Sequence, residues 1–327
     1  MSGDRPIAVV LLTGGLDSAV AAGIVQRQGI ELVGLHVESP FHCGRGTLDR
    51  AVELLNIHCE RRSVDEEYLN AWHRPRFGFG KGANPCTDCH RYLFGMADKL
   101  LAELGGEFVV SGEVLSQKPQ GQKRQALLAV EQHSGLGDRL LRPLSAKLLP
   151  PTRPERAGRI DRGGLHGLSG AARGPIEVLA RELGWQPAEL KSSGCRMADE
   201  HLSTRLGDML AGRPPLCLWS AGLIHVGRHF RTAGGEKIIV SRNAVEAERL
   251  ATAQRNDPRK ASSLIVPDDF AGPSALALEE DIATAIGLIN RYSKSGAHNL
   301  VRITRPEGVV ERLAVSHGAP ADEMKAI

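Results

Sequence analysis

The feature that most constrains the fold is a short glycine turn between an apolar strand pattern and a helix near the N-terminus. Residues 7–12 (IAVVLL) form a continuous apolar run, which is typical of a strand buried on both faces of a parallel sheet. The turn 13–18 (TGGLDS) follows directly, and small and apolar residues then recur at helical spacing before Gly29. This unit predicts the start of an α/β domain.

The same alternation of strand and helix patterns continues along the first half of the chain. We expect further strands at 31–37, 58–64 and 107–111, and helices at 47–57, 92–104 and 174–183. Strands that alternate with helices at this spacing form a parallel sheet with helices on both faces. Residues 1–212 are therefore predicted to be an α/β domain with a doubly wound parallel sheet.

A change of composition at Arg213-Pro214-Pro215 marks the domain boundary that we predict. The patterns beyond it predict strands at 237–240 and 263–266, helices at 244–254 and 279–292, and a closing hairpin of 300–304 and 309–315. Residues 213–327 are thus expected to form a second, smaller α+β domain.

The glycine turn has the chemistry of an anion site. A helix N-terminus presents unpaired N–H groups and a partial positive charge, and glycines let the backbone approach phosphate oxygens. Thr13 and Ser18 can add hydroxyl donors, and Asp17 can hold a Mg²⁺ ion that bridges phosphates. The geometry alone leaves open a simpler interpretation, in which Gly14 and Gly15 only make a tight turn.

The residues of the turn distinguish it from two common nucleotide motifs. It has neither the lysine of a GxxxxGK[ST] loop nor a GxGxxG fingerprint. The sequence TGGLDS resembles instead the SGGxDS signature of the PP-loop ATP pyrophosphatases, with Thr13 in place of the first serine. This resemblance implies a HUP-like fold and an enzyme that transfers AMP from ATP to a substrate oxygen. It also implies that ATP is bound by residues Thr13, Gly14, Gly15, Asp17 and Ser18.

Three of the six cysteines stand in patterns that indicate chemistry. Cys86 and Cys89 form a Cys-x-x-Cys pair in NPCTDCH, between a Gly/Pro-containing loop and a predicted helix, and Cys195 ends the loop SSGC. Such residues can bind a metal or an Fe–S cluster, can carry sulfur, or can be ordinary buried side chains. A histidine such as His90 or His201 could complete a zinc site. The other three cysteines lie beside predicted strands and are interpreted as packing residues: Cys43, Cys59 and Cys217.

The order of TGGLDS, NPCxxCH and SSGC resembles the tRNA 2-thiouridylase branch of the PP-loop superfamily, with 4-thiouridine synthases and Fe–S-dependent tRNA thiolases as looser relatives. The resemblance implies that Cys89 attacks the activated intermediate and that Cys195 carries a persulfide. In cluster-dependent thiolases three cysteines hold a [4Fe–4S] cluster, and here these would be Cys86, Cys89 and Cys195. Gly112 occupies a cofactor-binding position after the fourth strand, but Glu113 stands where thiouridylases have histidine.

The formal net charge is only +3, which by itself does not indicate a nucleic-acid partner. Residues 139–173 nevertheless contain eight Lys and Arg against Glu155 and Asp161, a local net charge of +6, which predicts contacts with RNA phosphates. A second basic cluster, 227–243, weakly resembles the RNA-binding domain of NFACT proteins. In it Arg228 and Arg231 flank Phe230 and could stack on a base, while an alternative interpretation makes Phe230 a core residue on a strand.

These features together predict an ATP-dependent tRNA sulfurtransferase. It would use ATP and Mg²⁺, and it would take sulfur from an unknown donor through a [4Fe–4S] cluster or a persulfide. Two alternatives remain open: a PP-loop amide- or nitrile-forming ligase with a zinc site, and a non-catalytic RNA-binding adaptor. The chain has no long apolar run and no signal-peptide pattern, so we expect a cytoplasmic location without a membrane partner.

Overall fold

The fold is taken from a computed structural model, which describes residues 6–41, 45–80, 84–118, 121–190, 195, 197, 199–293, 300–314 and 324–327. The chain divides into two compact units, Met1–Arg196 and Met197–Ile327. The boundary predicted from composition at 212/213 stays a prediction, and one helix, Glu200–Ala211, lies between the two positions. Within the described residues, no helix is both long and apolar enough to cross a membrane.

The first unit is built on a five-stranded parallel sheet with the order β3-β2-β1-β4-β5. Its strands are β1 (Ile7–Leu11), β2 (Glu31–Glu38), β3 (Cys59–Ser63), β4 (Phe108–Val110) and β5 (Leu140–Leu141). Its helices are α1 (Leu16–Gln26), α2 (Arg45–Leu55), α3 (Asn70–His73), α4 (Cys86–Glu103), α5 (Arg124–His133), α6 (Arg153–Arg156) and α7 (Gly174–Glu182). This confirms the doubly wound α/β fold.

The centre of this sheet is apolar because β1 is covered on both faces. Ala8, Val9 and Val10 are fully buried, and the side chains of α1 pack in the same core. The chain order reverses at β1, since β2 pairs on one side of it and β4 on the other. Ligands in open α/β sheets bind outside the carboxyl ends of the strands at such a switch point, which is where the TGGLDS turn lies.

The second unit contains a six-stranded antiparallel sheet with the order β11-β10-β8-β9-β7-β6. Its strands are β6 (Arg228–Arg231), β7 (Lys237–Val240), β8 (Ser263–Pro267), β9 (Ala275–Ala277), β10 (Leu300–Thr304) and β11 (Val310–Ala314). Its helices are α8 (Glu200–Ala211), α9 (Leu218–Ala221), α10 (Ala244–Arg255) and α11 (Ile282–Arg291). The predicted α+β class and the closing hairpin are both confirmed.

Candidate active site

The TGGLDS turn forms a compact loop between β1 and α1. Gly14 has a φ of 76°, a left-handed conformation that glycine adopts without strain. The Ser18 hydroxyl donates to the Gly15 carbonyl at 3.0 Å and lies 3.3 Å from both the backbone nitrogen and the hydroxyl of Thr13. Gly15 is the N-cap of α1 and supplies no side-chain acceptor to the first turn. The loop therefore fits an anion such as the pyrophosphate of ATP.

Gly112 closes the loop from the neighbouring strand. It follows β4, and a Cβ atom at this position would lie 2.5 Å from the Cα and the backbone nitrogen of Ser18. Only glycine allows β4 to bring its carboxyl end this close to the start of α1. The structure thus places Gly112 beside the other predicted ATP-binding residues.

Asp17 has a partner that the sequence did not reveal. The Gln117 side-chain amide donates a 2.8 Å hydrogen bond to Oδ2 of Asp17, across 100 residues of sequence. This bond uses one carboxylate oxygen, and no other side-chain partner of Asp17 occurs in the described part of the chain. Magnesium is commonly held by one or two carboxylates together with substrate phosphates, so Asp17 fits the role predicted for it.

The sequence predicted that the Cys-x-x-Cys pair precedes a helix. In the structure the pair forms the beginning of that helix. Helix α4 starts at Cys86, directly after Pro85, and both cysteines therefore lie on its first turn. The N-terminal end of a helix stabilises a thiolate. Gly121 packs against this turn, since a Cβ there would lie 2.3 Å from Sγ of Cys86.

Cys86 lies at one end of a series of hydrogen-bonded and charged side chains that leads into the interior of the first unit. Its Sγ lies 3.9 Å from Nε2 of His90, and Nδ1 of His90 donates to Oε1 of Glu113 at 2.7 Å. Nε of Arg142 donates to Oε2 of Glu113 at 2.8 Å, and the same guanidinium pairs with Glu131. Arg142 is only 1% exposed, so this chain is anchored in the interior.

The charges in this chain favour a thiolate at Cys86. Burial disfavours the charged form of Cys86, but the adjacent His90 outweighs it and lowers the pKa of the thiol. Burial also opposes a charge on His90, yet Cys86 and Glu113 raise its pKa to about 10. Glu113 is likewise buried, and Arg142 and His90 lower its pKa to about 2. The contact between Cys86 and His90 therefore favours a thiolate–imidazolium pair, a state typical of reactive cysteines.

Cys89 lies in a different environment. It is buried, its Sγ is 3.3 Å from the hydroxyl of Tyr68, and burial raises its pKa far above the usual value for a thiol. Cys195 is half-buried and close enough for its charge to affect both Cys89 and Tyr68. The structure thus brings the predicted pair of thiols into one region, while the preceding residues of the SSGC loop, 192–194, lie outside the described residues.

The three thiols do not meet the geometry of a metal site as they stand. Cys86 faces His90, whereas Cys89 faces Tyr68. Across the described ranges, no three Cys, His, Asp or Glu side chains are arranged to hold a metal ion. Cluster binding by Cys86, Cys89 and Cys195 therefore stays a prediction.

The remaining cysteines agree with packing roles where they are described. Cys59 lies on β3 and its side chain contacts Gly34 and the core of the first unit. Cys217 is the N-cap residue of the short helix α9. Cys43 lies outside the described residues.

The basic stretch 139–173 is largely neutralised by acids that lie elsewhere in the sequence. Five of its arginines form ion pairs, and the partners of four of them lie outside the stretch. The pairs are Arg139 with Asp98, Arg142 with Glu113 and Glu131, Arg156 with Asp138, Arg159 with Glu107, and Arg162 with Glu155, which alone lies within the stretch. The net charge counted from residues 139–173 alone therefore overstated the positive charge that is available to RNA phosphates.

The basic cluster of the second unit also differs from its prediction. Phe230 is fully buried in the core, so it cannot stack on a base. Arg231 binds the carboxylate of Asp208 at 2.8 Å, together with Lys237. Arg228 remains at the surface of the unit, where its guanidinium lies over the ring of Tyr292.

Comparisons with known proteins match two separate parts of the chain. Residues 7–134 match the family described as "tRNA methyl transferase HUP domain", and residues 227–326 match the "NFACT protein RNA binding domain". A curated relative, the "Probable tRNA sulfurtransferase" of Staphylococcus aureus (strain MRSA252), is 28% identical over 124 residues. That match covers 36% of this chain and 30% of the relative, so the chain spans less than a third of the relative's length.

Two solved structures are similar at a greater distance. A 4-thiouridine synthetase–RNA complex with bound ATP has a TM-score of 0.42 and 20% identity, covering 57% of this chain and 43% of that one. A predicted subunit of tRNA methyltransferase from Methanocaldococcus jannaschii has a TM-score of 0.33 and 13% identity, covering 58% and 93%. Both resemblances predicted from the sequence thus have a matching family model, the HUP domain over residues 7–134 and the NFACT RNA-binding domain over residues 227–326.

Proposed function

We propose that the chain is an ATP-dependent tRNA sulfurtransferase. The observation that carries the proposal is that the segment after β4 contacts both the nucleotide loop and the Cys-x-x-Cys pair. On the nucleotide side, Gly112 packs against Ser18 and Gln117 donates to Asp17. An oxygen activated at the loop would therefore lie on the same edge of the sheet as the thiols.

The same segment holds the thiol side of the site. Glu113 orients His90 beside Cys86, and Gly121 packs against the sulfur of Cys86. The Lys118 ammonium places a further positive charge near both cysteines of the pair. The segment after β4 thus supports both the loop at which pyrophosphate would leave and the thiol of Cys86.

The first step is activation of a uridine carbonyl oxygen of tRNA. This oxygen attacks the α-phosphorus of ATP, the bond to the bridging oxygen breaks, and pyrophosphate leaves with the electron pair. The N–H groups of the loop Thr13–Ser18 hold the pyrophosphate, and Asp17 would hold Mg²⁺, which neutralises phosphate charge. Gln117 fixes the carboxylate of Asp17 for this task.

The second step exchanges oxygen for sulfur. The terminal sulfur of a persulfide on Cys195 attacks the adenylated carbon, and AMP leaves with the former carbonyl oxygen. Cys89 then attacks Sγ of Cys195, its proton passes to the departing thiolated base, and a Cys89–Cys195 disulfide forms. The charge of Cys195 acts on Cys89, and this electrostatic effect supports an exchange between the two thiols.

Cys86 extends this scheme through its lowered pKa. As a thiolate it attacks Sγ of Cys89, the bond to Cys195 breaks, and Cys195 leaves as a thiolate that can be loaded again. The resulting Cys86–Cys89 disulfide is reduced by an external thiol before the next turnover. The region 227–326 would contribute RNA binding, in keeping with the RNA-binding family that it matches.

Analysis of tRNA nucleosides from a strain that lacks the protein tests the proposal directly. We expect one thiolated uridine to disappear and to return when the wild-type chain is supplied. Unchanged nucleosides, with no RNA-dependent release of pyrophosphate by the purified chain, would favour the RNA-binding adaptor. Stoichiometric zinc together with ATP use that does not require RNA would favour the small-molecule ligase.

Metal analysis after anaerobic purification separates the two sulfur routes. The persulfide route predicts sulfur transfer by a protein that contains no stoichiometric iron. Stoichiometric iron that is lost with activity on chelation would instead establish the three-cysteine cluster.

A further inference from the structure

Two exposed phenylalanines stand on the loop 74–80, which leads to the Cys-x-x-Cys pair. Phe77 is 37% exposed and Phe79 is 46% exposed, although both side chains are large and apolar. Exposed apolar residues that are scattered singly are ordinary, but neighbouring ones mark a binding surface. The loop 74–80 is therefore a candidate contact surface of the first unit.

A buried carboxylate holds this loop beside the thiols. The backbone N–H of Phe77 donates at 3.0 Å to Oδ2 of Asp88, which is only 2% exposed. Asp88 lies between Cys86 and Cys89 on the first turn of α4. The ring centroid of Phe77 also lies 5.4 Å from that of His133, at the end of α5. A ligand bound to the loop 74–80 would therefore lie next to the thiol site.

The ring of Phe79 is open to a planar ligand. Within the described ranges, no aromatic ring or guanidinium group stacks on it, in contrast to the ring of Phe77. Gly78 has a φ of 74°, and apart from its chain neighbours no atom lies within 4 Å of the place where its Cβ would be. On the other side, the N–H of Gly80 donates to the Asn84 carbonyl at 2.9 Å. Neither glycine has a side chain that could cover the ring, which leaves a stacking face.

Two arginines place positive charge on the same loop. Arg74 and Arg76 are exposed, and no carboxylate among the described residues forms an ion pair with either of them. The guanidinium carbon of Arg76 lies 5.7 Å from the ring centroid of Phe77. Arg91 shows the contrast, since its Nε lies 3.9 Å from Oδ1 of Asp88. The surface thus combines exposed aromatic rings with cations that have no acidic partner there.

This combination fits an unpaired nucleotide of RNA. Unstacked bases are bound by aromatic rings and arginines neutralise the adjacent phosphates, whereas a base pair inside a duplex offers no free face. The two unpaired arginines favour a polyanion over an apolar protein surface. We propose that the loop 74–80 binds the unpaired nucleotide next to the reacting uridine, with its base on Phe79 and its phosphate on Arg76. The inference rests on the proposed function and deepens it, because it assigns the contact by which that site selects a uridine in an unpaired segment of tRNA.

The test locates bound RNA by crosslinking, so that RNA bound elsewhere on the chain is counted separately. The full chain, without ATP, is irradiated with a short oligouridylate that carries one 5-iodouridine, and the crosslinked peptides are identified by mass spectrometry. We expect crosslinks in the peptide that contains Phe77 and Phe79. The crosslink yield as a function of oligomer concentration gives the affinity of the loop 74–80 itself.

Two substitutions at one position separate stacking from apolar contact. Phe79→Leu keeps an apolar side chain but removes the ring, so the affinity of the loop should fall by about tenfold, the effect of losing one stacked base. Phe79→Tyr keeps the ring and should bind within about twofold of wild type. The matched control is Val178→Ala, which shortens an apolar side chain that is 50% exposed on α7.

The salt dependence of binding tests the phosphate contact. Arg76→Ala should reduce the slope of log affinity against log salt by about 0.7, the value for one phosphate of a single strand. The matched control is Arg50→Ala, which removes an arginine of α2 that is already paired with Glu53 and Glu189. Its slope should equal that of wild type.

The outcomes are distinct. The two expected losses, with both controls unchanged, support the contact. Crosslinks that map only to other peptides would overturn it, and so would an abasic oligomer of equal length that competes for the loop as well as oligouridylate does. Equal affinity of Phe79→Leu and wild type would also overturn it, in favour of a protein sulfur donor that docks on this apolar surface.

RNA crosslinking and sulfur transfer are measured separately, so each can fail alone. A chain that crosslinks at the loop 74–80 but never thiolates tRNA retains the RNA contact and loses the proposed function. Thiolation by Phe79→Leu with the KM for tRNA of wild type, and no crosslink at the loop in wild type, has the opposite meaning.

Discussion

The Gln117 amide donates a 2.8 Å hydrogen bond to the Asp17 carboxylate, and this single contact joins the nucleotide loop to the segment after β4. Gln117 is followed by Lys118, whose charge acts on both cysteines of the pair, and the chain then reaches Gly121 beside Cys86. The contact thus relates the first-turn carboxylate of α1 to the thiol-bearing first turn of α4. The N-termini of α1 and α4 therefore both contact the segment after β4.

Replacing the Asp17 carboxylate should abolish nucleotide chemistry while leaving the fold intact. Asp17→Asn keeps the shape but removes the charge proposed to hold Mg²⁺, so RNA-dependent pyrophosphate release should fall by about 100-fold or more. Asp49→Asn is the matched control, because it removes an exposed carboxylate of α2 that pairs with Arg61. Full activity of Asp17→Asn would contradict the site.

Removing the Gln117 amide should have a smaller effect of the same kind. In Gln117→Ala the Asp17 carboxylate loses its donor and its fixed orientation, and we expect about a tenfold loss of pyrophosphate release. Raising the Mg²⁺ concentration should recover part of the activity, since the carboxylate itself remains. The assignment fails if Gln117→Ala matches wild type at limiting Mg²⁺.

Cys86 should be the more reactive thiol of its pair at neutral pH. The neighbouring protonated His90 stabilises its thiolate and lowers its pKa, whereas burial raises the pKa of Cys89. Iodoacetamide at pH 7, followed by peptide mass spectrometry, should therefore label Cys86 first. His90→Gln removes the positive charge, so the labelling profile of Cys86 should move to higher pH.

Cys217 provides the internal control for that labelling, since it lies in the other unit and should respond equally in both proteins. Faster labelling of Cys89 than of Cys86, or an unchanged profile in His90→Gln, would show that the thiolate–imidazolium pair does not form.

The buried Glu113 should make stability depend on pH in the acid range. Burial opposes its charge, but Arg142 and His90 lower its pKa to about 2. A carboxyl with a depressed pKa stabilises the fold above its unfolded pKa of about 4.3, and this stabilisation is lost as the pH falls towards 2. Glu113→Gln should thus cost about 3 kcal/mol of unfolding free energy at pH 7.

The difference between wild type and Glu113→Gln should shrink steadily between about pH 4.5 and pH 2 in urea titrations. Glu53→Gln removes an exposed carboxyl paired with Arg50 and should change stability little at either pH. A constant difference for Glu113→Gln across this range would indicate that its contribution is one of packing and not of charge.

The sequence predicted those parts of the fold that depend on local patterns. The apolar run of β1, the glycine turn and the helical spacing of α1 lie in adjacent residues, and their order implies a parallel sheet. The two-residue strand β5 and the three-residue strand β9 were missed, because each is defined by pairing with a distant strand. Strand β6 was only an alternative interpretation of the sequence RHFR, because Phe230 is its one residue in the apolar core.

The site was predictable where motifs are short and not where partners are remote. The TGGLDS and Cys-x-x-Cys motifs identify their own residues, whereas Gln117 lies 100 residues from Asp17 and Arg142 lies 29 residues from Glu113. No spacing rule connects such pairs. Composition failed for a related reason: it counts the charges of residues 139–173, while the acids that bind several of them arrive from α4, α5 and the strand ends.

The central claim is that one site consumes ATP to place sulfur on tRNA. The most direct measurement mixes the purified chain, ATP, a persulfide donor and tRNA from a strain lacking the protein, and then quantifies AMP and thiolated uridine together. We expect one AMP for each thiolated uridine, with both products lost in Cys195→Ser and Asp17→Asn. AMP without thiolated uridine, or thiolated uridine formed without ATP, would contradict it.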